Sequence, residues 1–311
     1  MSEDIAVKVL AELNISPIEI KHFNNGYCHK VYYVKTENDE YVLRITSESN
    51  KAYYTGGIKW LEALADLKVL VPKVLNHGRY TDVYFTLLSF INGKDLGDVY
   101  ASLNETQKRG IVKDLSAIQR TVANLPSSGL YGYPHSGDEN SFETWIEYLQ
   151  SLLSRSRKRI KATGIFDVEV CDNVDAIMVR LNDYFASVQP VAFLDDISTK
   201  NVLVNDGKLA GIVDVDEMCY GDPLLIIGLT NMALRGMKLD TTYIDYWLDD
   251  MNADETQRSV VAFYTLLFCV DFMGEQGMRF DNGKKIPADK EVLETLQFNY
   301  DDLIRKLNHR P

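Results

Sequence analysis

The apolar residues of this 311-residue chain change their spacing near residue 91, and that change limits the folds open to it. Before it, Pro17–Phe23, Val31–Lys35, Tyr41–Ile45, Val71–Leu75 and Val83–Phe90 alternate or run as short apolar segments broken by turn residues, which predicts strands. A helix is predicted ahead of them, capped by Ser2-Glu3-Asp4 and carrying Ile5, Val9, Leu10 and Leu13. Beyond residue 91 the spacing becomes helical. Ile111, Leu115, Ile118 and Val122 make one face, and Trp145, Leu149, Leu152 and Leu153 another, after a loop over Leu125–Asn140 and a cap at Ser141. Val174, Ile177, Leu181 and Phe185 mark a third, and Leu224–Met232, Tyr243–Met251, Arg258–Phe272 and Lys290–Leu307 also read as helices. The expected class is α+β, with a small antiparallel sheet in residues 1–91 and a larger, mainly helical part in residues 92–311.

One stretch in the helical part breaks this spacing. Phe193–Pro223 reads FLDDISTKNVLVNDGKLAGIVDVDEMCYGDP. Val202–Val204 and Leu209–Val213 flank Asn205-Asp206-Gly207, the signature of a tight β-hairpin. Such a hairpin brings Asn201, before its first strand, close to Asp214, after its second. Hard oxygen donors gathered this way suit Mg²⁺, which binds few protein groups and fills its shell with phosphate and water. Asp196, five residues before Asn201, is placed to orient an attacking hydroxyl. A positioned acceptor, magnesium on phosphates and a cation over them are the parts of a phosphoryl-transfer site.

The stretch resembles the catalytic loop and metal strand of the aminoglycoside phosphotransferase and choline kinase superfamily, which has a bilobal protein-kinase-like fold. That pattern runs His-Gly-Asp-x4-Asn, a hairpin, Ile-Asp-Trp-Asp/Glu, then Gly-Asp-Pro. The resemblance implies Asp196 as catalytic base, Asn201 and Asp214 as Mg²⁺ ligands, Asp216 as a second acid, and Gly221-Asp222-Pro223 as the turn that follows. Leu194 stands where the family has the loop-bracing His, and Asp195 where it has Gly. The resemblance also implies an N-lobe over 1–91 that binds ATP, or GTP. Its phosphates would lie under the loop containing Gly26, Arg44 on the strand Tyr41–Ile45 would hold them, and the main chain of Ser89, Phe90 and Ile91 would meet the adenine. The lobe over 92–311 would carry the catalytic loop and the acceptor. Relatives pair the strand cation with a Glu on the next helix. Here Lys51–Ala65 offers Tyr53 and Tyr54 near that place, Glu62 comes too late, and Gly56-Gly57 weakens the helix start, so the partner of Arg44 stays unassigned.

Composition narrows the partners. A net charge of −12 argues against general nucleic-acid or anionic-membrane binding, and the basic run Arg155–Lys161 reads as a solvated helix end. No apolar run approaches the length of a membrane span, and Met1-Ser2-Glu3-Asp4 lacks the start of a secretory signal, so a cytoplasmic location is expected. Cys28, Cys171, Cys219 and Cys269 are scattered and read as reduced thiols. The five histidines show no ligand spacing. Acids expected near a cationic acceptor are Asp216 with Glu217, Asp271 with Glu275 at i,i+4, and Glu139 with Glu143. The reading is a kinase for a small hydroxyl acceptor, closest in pattern to hygromycin-type phosphotransferases. Metabolic kinases for choline, homoserine or sugar-like substrates share the same core. A catalytically weak nucleotide-binding regulator is the rival, suggested by Leu194, Asp195 and the missing helix glutamate.

Overall fold

A computed structural model describes residues 3–23, 28–135, 140–279 and 285–308; Ser2, Gly26 and Glu139 lie outside the described residues. Strands β1 (Glu19–Phe23), β2 (His29–Lys35), β3 (Glu40–Ser47), β4 (Val74–Tyr80) and β5 (Val83–Ser89) form an antiparallel sheet in the order β1-β2-β3-β5-β4. Both faces of its centre are covered, which explains why β5 is buried along most of its length. Leu43 and Ile45 of β3 join Phe85 and Leu87 in a core closed by Ala6, Val9 and Leu10 of helix α1 (Glu3–Glu12). Alternation sends Arg44 and Thr46 to the other face, beside helix α2 (Lys51–Asp66). The strand expected from Val71 begins at Val74 instead. Val69 and Val71 turn into the larger core with Trp60, Leu61 and Leu64, and the Leu70 carbonyl accepts from the Ile212 amide at 2.7 Å.

The rest is mainly helical: α3 (Leu96–Val99), α4 (Glu105–Val122), α5 (Trp145–Thr163), α6 (Glu169–Arg180), α7 (Asn182–Ser187), α8 (Leu224–Gly236), α9 (Thr242–Asp250), α10 (Glu255–Glu275) and α11 (Lys290–Asn308). Helix α10 is apolar almost all round and packs against α5, α8 and α11 at the centre. Reciprocal capping boxes start α4 at Asn104/Gln107, α5 at Thr144/Glu147 and α10 at Asp254/Gln257. Thr144 therefore does the capping expected of Ser141, which lies in a short strand. Among the described residues, no helix is long and apolar enough to cross a membrane.

Two small sheets hold the stretch from Phe193 to Pro223. β10 (Val202–Asn205) lies between β11 (Lys208–Ile212) and β6 (Lys94–Asp95). β7 (Tyr131–Gly132), β8 (Ser141–Phe142), β9 (Val191–Phe193) and β12 (Cys219–Gly221) are ordered β8-β7-β12-β9. The chain thus enters the stretch from β9 and leaves it through β12, whose residues pair with β9. The hairpin turn has the predicted form: Asp206 and Gly207 both have positive φ, 49° and 75°, between the paired Asn205 and Lys208. The basic run is not a solvated end. It lies within α5, where Arg157 pairs with Asp172 and Asp175 of α6, while Arg155 and Arg159 pair with Asp271 of α10.

Candidate active site

The open end of the β10–β11 hairpin gathers the residues of the Asp-x4-Asn pattern. The Val213 amide donates to the Asn201 carbonyl at 3.0 Å, so the chain reaches Asp214 directly beside Asn201. The Asn201 side-chain amide donates to the Asp196 carbonyl at 2.9 Å, which ties the two ends of the loop and leaves Oδ1 as a free acceptor. Asp214 has φ 61°, a backbone setting that non-glycine residues adopt at a cost and that recurs at functional sites. Its side chain is 56% exposed. An amide oxygen and an accessible carboxylate on one rim are a donor set that fits Mg²⁺.

Leu194, in the position of the missing histidine, is braced in another way. Gln119 of α4 is buried, and its amide nitrogen donates to the Leu194 carbonyl at 2.8 Å while its oxygen accepts from the Leu194 amide at 3.0 Å. Further along the loop, the Gly97 amide donates to the Thr199 carbonyl at 2.8 Å. Asp195 is also engaged: the Tyr133 hydroxyl donates to its Oδ2. Burial pushes the Asp195 carboxyl up to about 6, against the opposing pull of the Tyr133 bond. Asp196 stays open to solvent on one side but is hemmed in by protein on the others. Burial first, then the charges of Asp195 and Asp214, raise it to about 7, against Asn201 and Lys200.

Arg44 and Asp216 give the site its charge geometry. Arg44 is 7% exposed. Its Nη2 donates to Asp214 Oδ1 at 2.7 Å and to Asp216 Oδ2 at 2.8 Å, and its Nη1 lies 2.8 Å from Asp216 Oδ1. His29 Nε2 meets Asp216 Oδ2 at 2.8 Å, and its Nδ1 meets Thr46 Oγ1 at 2.7 Å. Burial works to raise the Asp216 carboxyl, but Arg44 and the His29 bond outweigh it and hold it below the ordinary carboxylate range.

These contacts revise several sequence expectations. Asp216 is committed to Arg44 and His29 and so is not available to a substrate amine. Asp271 is likewise engaged, accepting from Ser156 Oγ at 2.8 Å and pairing with Arg155 and Arg159, the latter also 3.7 Å from Glu275. The i,i+4 geometry is present, but the cations that use it belong to α5. Glu217 is half-buried, and its charge bears on Asp195. In the hinge, the Ser89 amide donates to the Lys73 carbonyl and its Oγ accepts from the Lys73 amide, both at 2.9 Å. Phe90 turns its ring edge-on to Tyr33, 5.2 Å between centroids, and Ile91 packs over Gly211. Sequence reasoning missed His29, Gln119, Tyr133 and Lys200. Only Lys200 carried a local signal, as an exposed cation beside Asn201 whose charge reaches Asp196 and Glu275.

Comparison with known proteins adds to this geometry. The model of a family described as "Phosphotransferase enzyme family" matches residues 19–256. The chain is similar to a thermostable mutant of aminoglycoside phosphotransferase APH(4)-Ia, solved as a ternary complex with AMP-PNP and hygromycin B. The two are 17% identical with a TM-score of 0.69, over 97% of this chain and 99% of that one. It is also similar to the GDP complex of wild-type aminoglycoside 2'-phosphotransferase-IIIa, at 14% identity and a TM-score of 0.70, over 97% of this chain and 98% of that one. A Staphylococcus aureus protein described as an uncharacterized protein in the ileS 3' region is 25% identical over 119 residues, 38% of this chain and 82% of its own. The solved structures share the arrangement found here, an antiparallel-sheet N-terminal region ahead of a mainly helical one.

Proposed function

Because the chain belongs to the phosphotransferase enzyme family, we propose that it transfers the γ-phosphoryl group of a nucleoside triphosphate to a hydroxyl of a small cationic molecule. The observation that carries this reading is the shared rim of Asp196, Asn201 and Asp214, tied together by the Asn201 amide and the Val213–Asn201 bond. Asp196 orients the acceptor hydroxyl and takes its proton. Asn201 Oδ1 and the Asp214 carboxylate would hold Mg²⁺, which would neutralise charge on the phosphate oxygens. Arg44 holds the phosphates from the sheet side. The main chain of Phe90 and Ile91 meets the base, since the Ser89 amide is taken by Lys73. Residues 1–91 then act as the nucleotide lobe and 92–311 as the acceptor lobe.

The acceptor class rests on charge. The charge of Glu217 bears on Asp195, and that of Asp195 on Asp196, and a protonated amine on the acceptor would relieve this repulsion. Solved relatives hold AMP-PNP with hygromycin B in one case and GDP in another, which supports an aminoglycoside-like acceptor and leaves both purine nucleotides to be assayed. The test is Asp196→Asn. Nucleotide affinity should stay within a few-fold of the parent, while transfer to a panel of hydroxyl-bearing amines should fall at least about 100-fold, the ordinary worth of a positioned base. Undiminished transfer in this variant would remove Asp196 from its role. Tight Mg-nucleotide binding by the parent with no transfer to any acceptor would favour a regulator instead.

A further inference from the structure

Two neighbouring carboxylates hold Arg44, and they hold it differently. Asp216 grips the guanidinium with both oxygens, whereas Asp214 touches it with one. The Asp216 side chain is 14% exposed against 56% for Asp214. Asp216 is fixed a second time by His29, itself fixed by Thr46 of β3, the strand that carries Arg44. Taking Arg44 as the phosphate cation of the proposed function, we infer that Asp216 is its positioning residue and supplies the carboxylate that helix α2 lacks.

The glycine pair in α2 is the counterpart of this arrangement. Glycines inside a helix lower its stability by roughly 1 kcal/mol each, so two in succession call for a local reason. A Cβ on Gly57 would lie 2.7 Å from Asp216 Oδ1, and one on Gly56 would lie 2.4 Å from the Asp216 carbonyl oxygen. The helix presents bare backbone where the 214–216 segment comes closest, and that gap admits the Asp216 carboxylate. The same Cβ on Gly57 would be 3.7 Å from Arg44 Nη1. In an aspartate the carboxylate oxygens sit roughly 2.4 Å from Cβ, from standard bond lengths. An aspartate at 57 would therefore put its carboxylate almost where Asp216 Oδ1 is now, once Asp216 is gone. The two positions are alternative sources of one carboxylate. Were Asp214 to hold a metal, Arg44 would stay anchored to Asp216, and the Nη2 donor now on Asp214 would be free for a phosphate oxygen.

The experiment compares the parent, Asp216→Asn, Asp216→Ala, Gly57→Asp and the Gly57→Asp/Asp216→Ala double variant. Affinity for Mg–AMP-PNP is measured by titration calorimetry, KM for nucleotide and acceptor by steady-state kinetics, and folding by circular dichroism. Both Asp216 variants should bind nucleotide about 10- to 100-fold more weakly, the worth of a charge-assisted bond, with the acceptor KM little changed. Gly57→Asp alone should weaken binding too, because it crowds Asp216. The double variant should recover most of the lost affinity, which a packing role for Asp216 would not produce. Unchanged nucleotide affinity in Asp216→Asn, or a double variant no better than Asp216→Ala, would overturn the inference alone. Failure of the parent to bind Mg–AMP-PNP would overturn the nucleotide reading, and the inference with it.

Discussion

Replacing Asp222 with alanine should destabilise the protein by about 3 kcal/mol. Asp222 is 5% exposed and accepts three bonds: from the Leu224 amide at 3.0 Å, the Tyr264 hydroxyl at 2.7 Å and the Tyr184 hydroxyl at 3.0 Å. Leu224 and Tyr264 are fully enclosed, so both donors would lose their only acceptor, at roughly 1.5–3 kcal/mol each for bonds to a charged group. Tyr184 is only half-buried and can turn to water, so its share is small. Burial raises the Asp222 carboxyl despite these donors, and removing it recovers part of that desolvation cost, which brings the total toward the lower end. The order of effects is a sharper test than the size. Tyr264→Phe should cost about 2–4 kcal/mol, since it removes one donor and leaves Trp145 Nε1, which donates to that hydroxyl at 2.7 Å, without a partner. Tyr184→Phe should cost less than about 1 kcal/mol. Urea unfolding followed by tryptophan fluorescence suits this core, because Trp145 sits in it and an unchanged m-value would show that the denatured state is not altered. The hub also bears on the candidate site, since it anchors β12, whose Tyr220 and Cys219 pair with Ala192 and Phe193 just ahead of Asp195 and Asp196. An alanine variant within about 1 kcal/mol of the parent, or a Tyr184→Phe variant worse than Tyr264→Phe, would refute the reasoning.

Two further predictions concern the loop. Gln119→Leu leaves the buried amide and carbonyl of Leu194 unpaired, so it should cost about 2–4 kcal/mol and lower the transfer rate, as read by urea unfolding and kcat. With Asp196 as the proposed base, the rate at saturating nucleotide should fall as pH drops through about 7, because a carboxyl takes a proton only when ionised and burial with neighbouring charge has raised this one that far. Asp195→Asn removes one of those charges while keeping an acceptor for Tyr133, so the acid limb should move to lower pH; a limb unmoved by that change would rule out the charge coupling.

The hairpin was readable because its determinants are local. Asn205-Asp206-Gly207 sets a two-residue turn through positive φ at its centre, and the apolar strands on either side fix the register, so Asn201 and Asp214 follow from the residues between them. The sheet and helices were readable for the same reason, through their periods. What escaped depends on contacts between distant segments. His29 lies 187 residues from Asp216, and Arg44 lies 172. Residues 51–65 alone therefore held no answer to what Arg44 pairs with, and Gly56-Gly57 read as a weakness when it is a space kept for another segment. Asp271 and Glu275 meet cations of the protein itself for a related reason. Their i,i+4 face was read correctly, but which cations meet it was decided by the packing of α5 on α10. The missing histidine belongs with these, since Gln119 supplies the brace from 75 residues away.

Asp214 and Asp216, just beyond β11, show how one residue type meets two different surroundings two positions apart. Both side chains reach Arg44, while Val215 between them turns into the core. Chemistry does not distinguish them, so their surroundings must. Asp216 meets His29, both arms of Arg44 and the bare face of Gly57, which enclose it and keep it ionised. Asp214 meets one arm of Arg44 and solvent, on a backbone held at positive φ. A carboxylate whose partners surround it serves as an anchor, and one left facing water can exchange its partner for a metal ion. Arg44 links the two, and its fork allows it to release one without leaving the other. The separation of roles lies in the enclosure of each carboxylate, and it requires a helix without side chains at the point of closest approach.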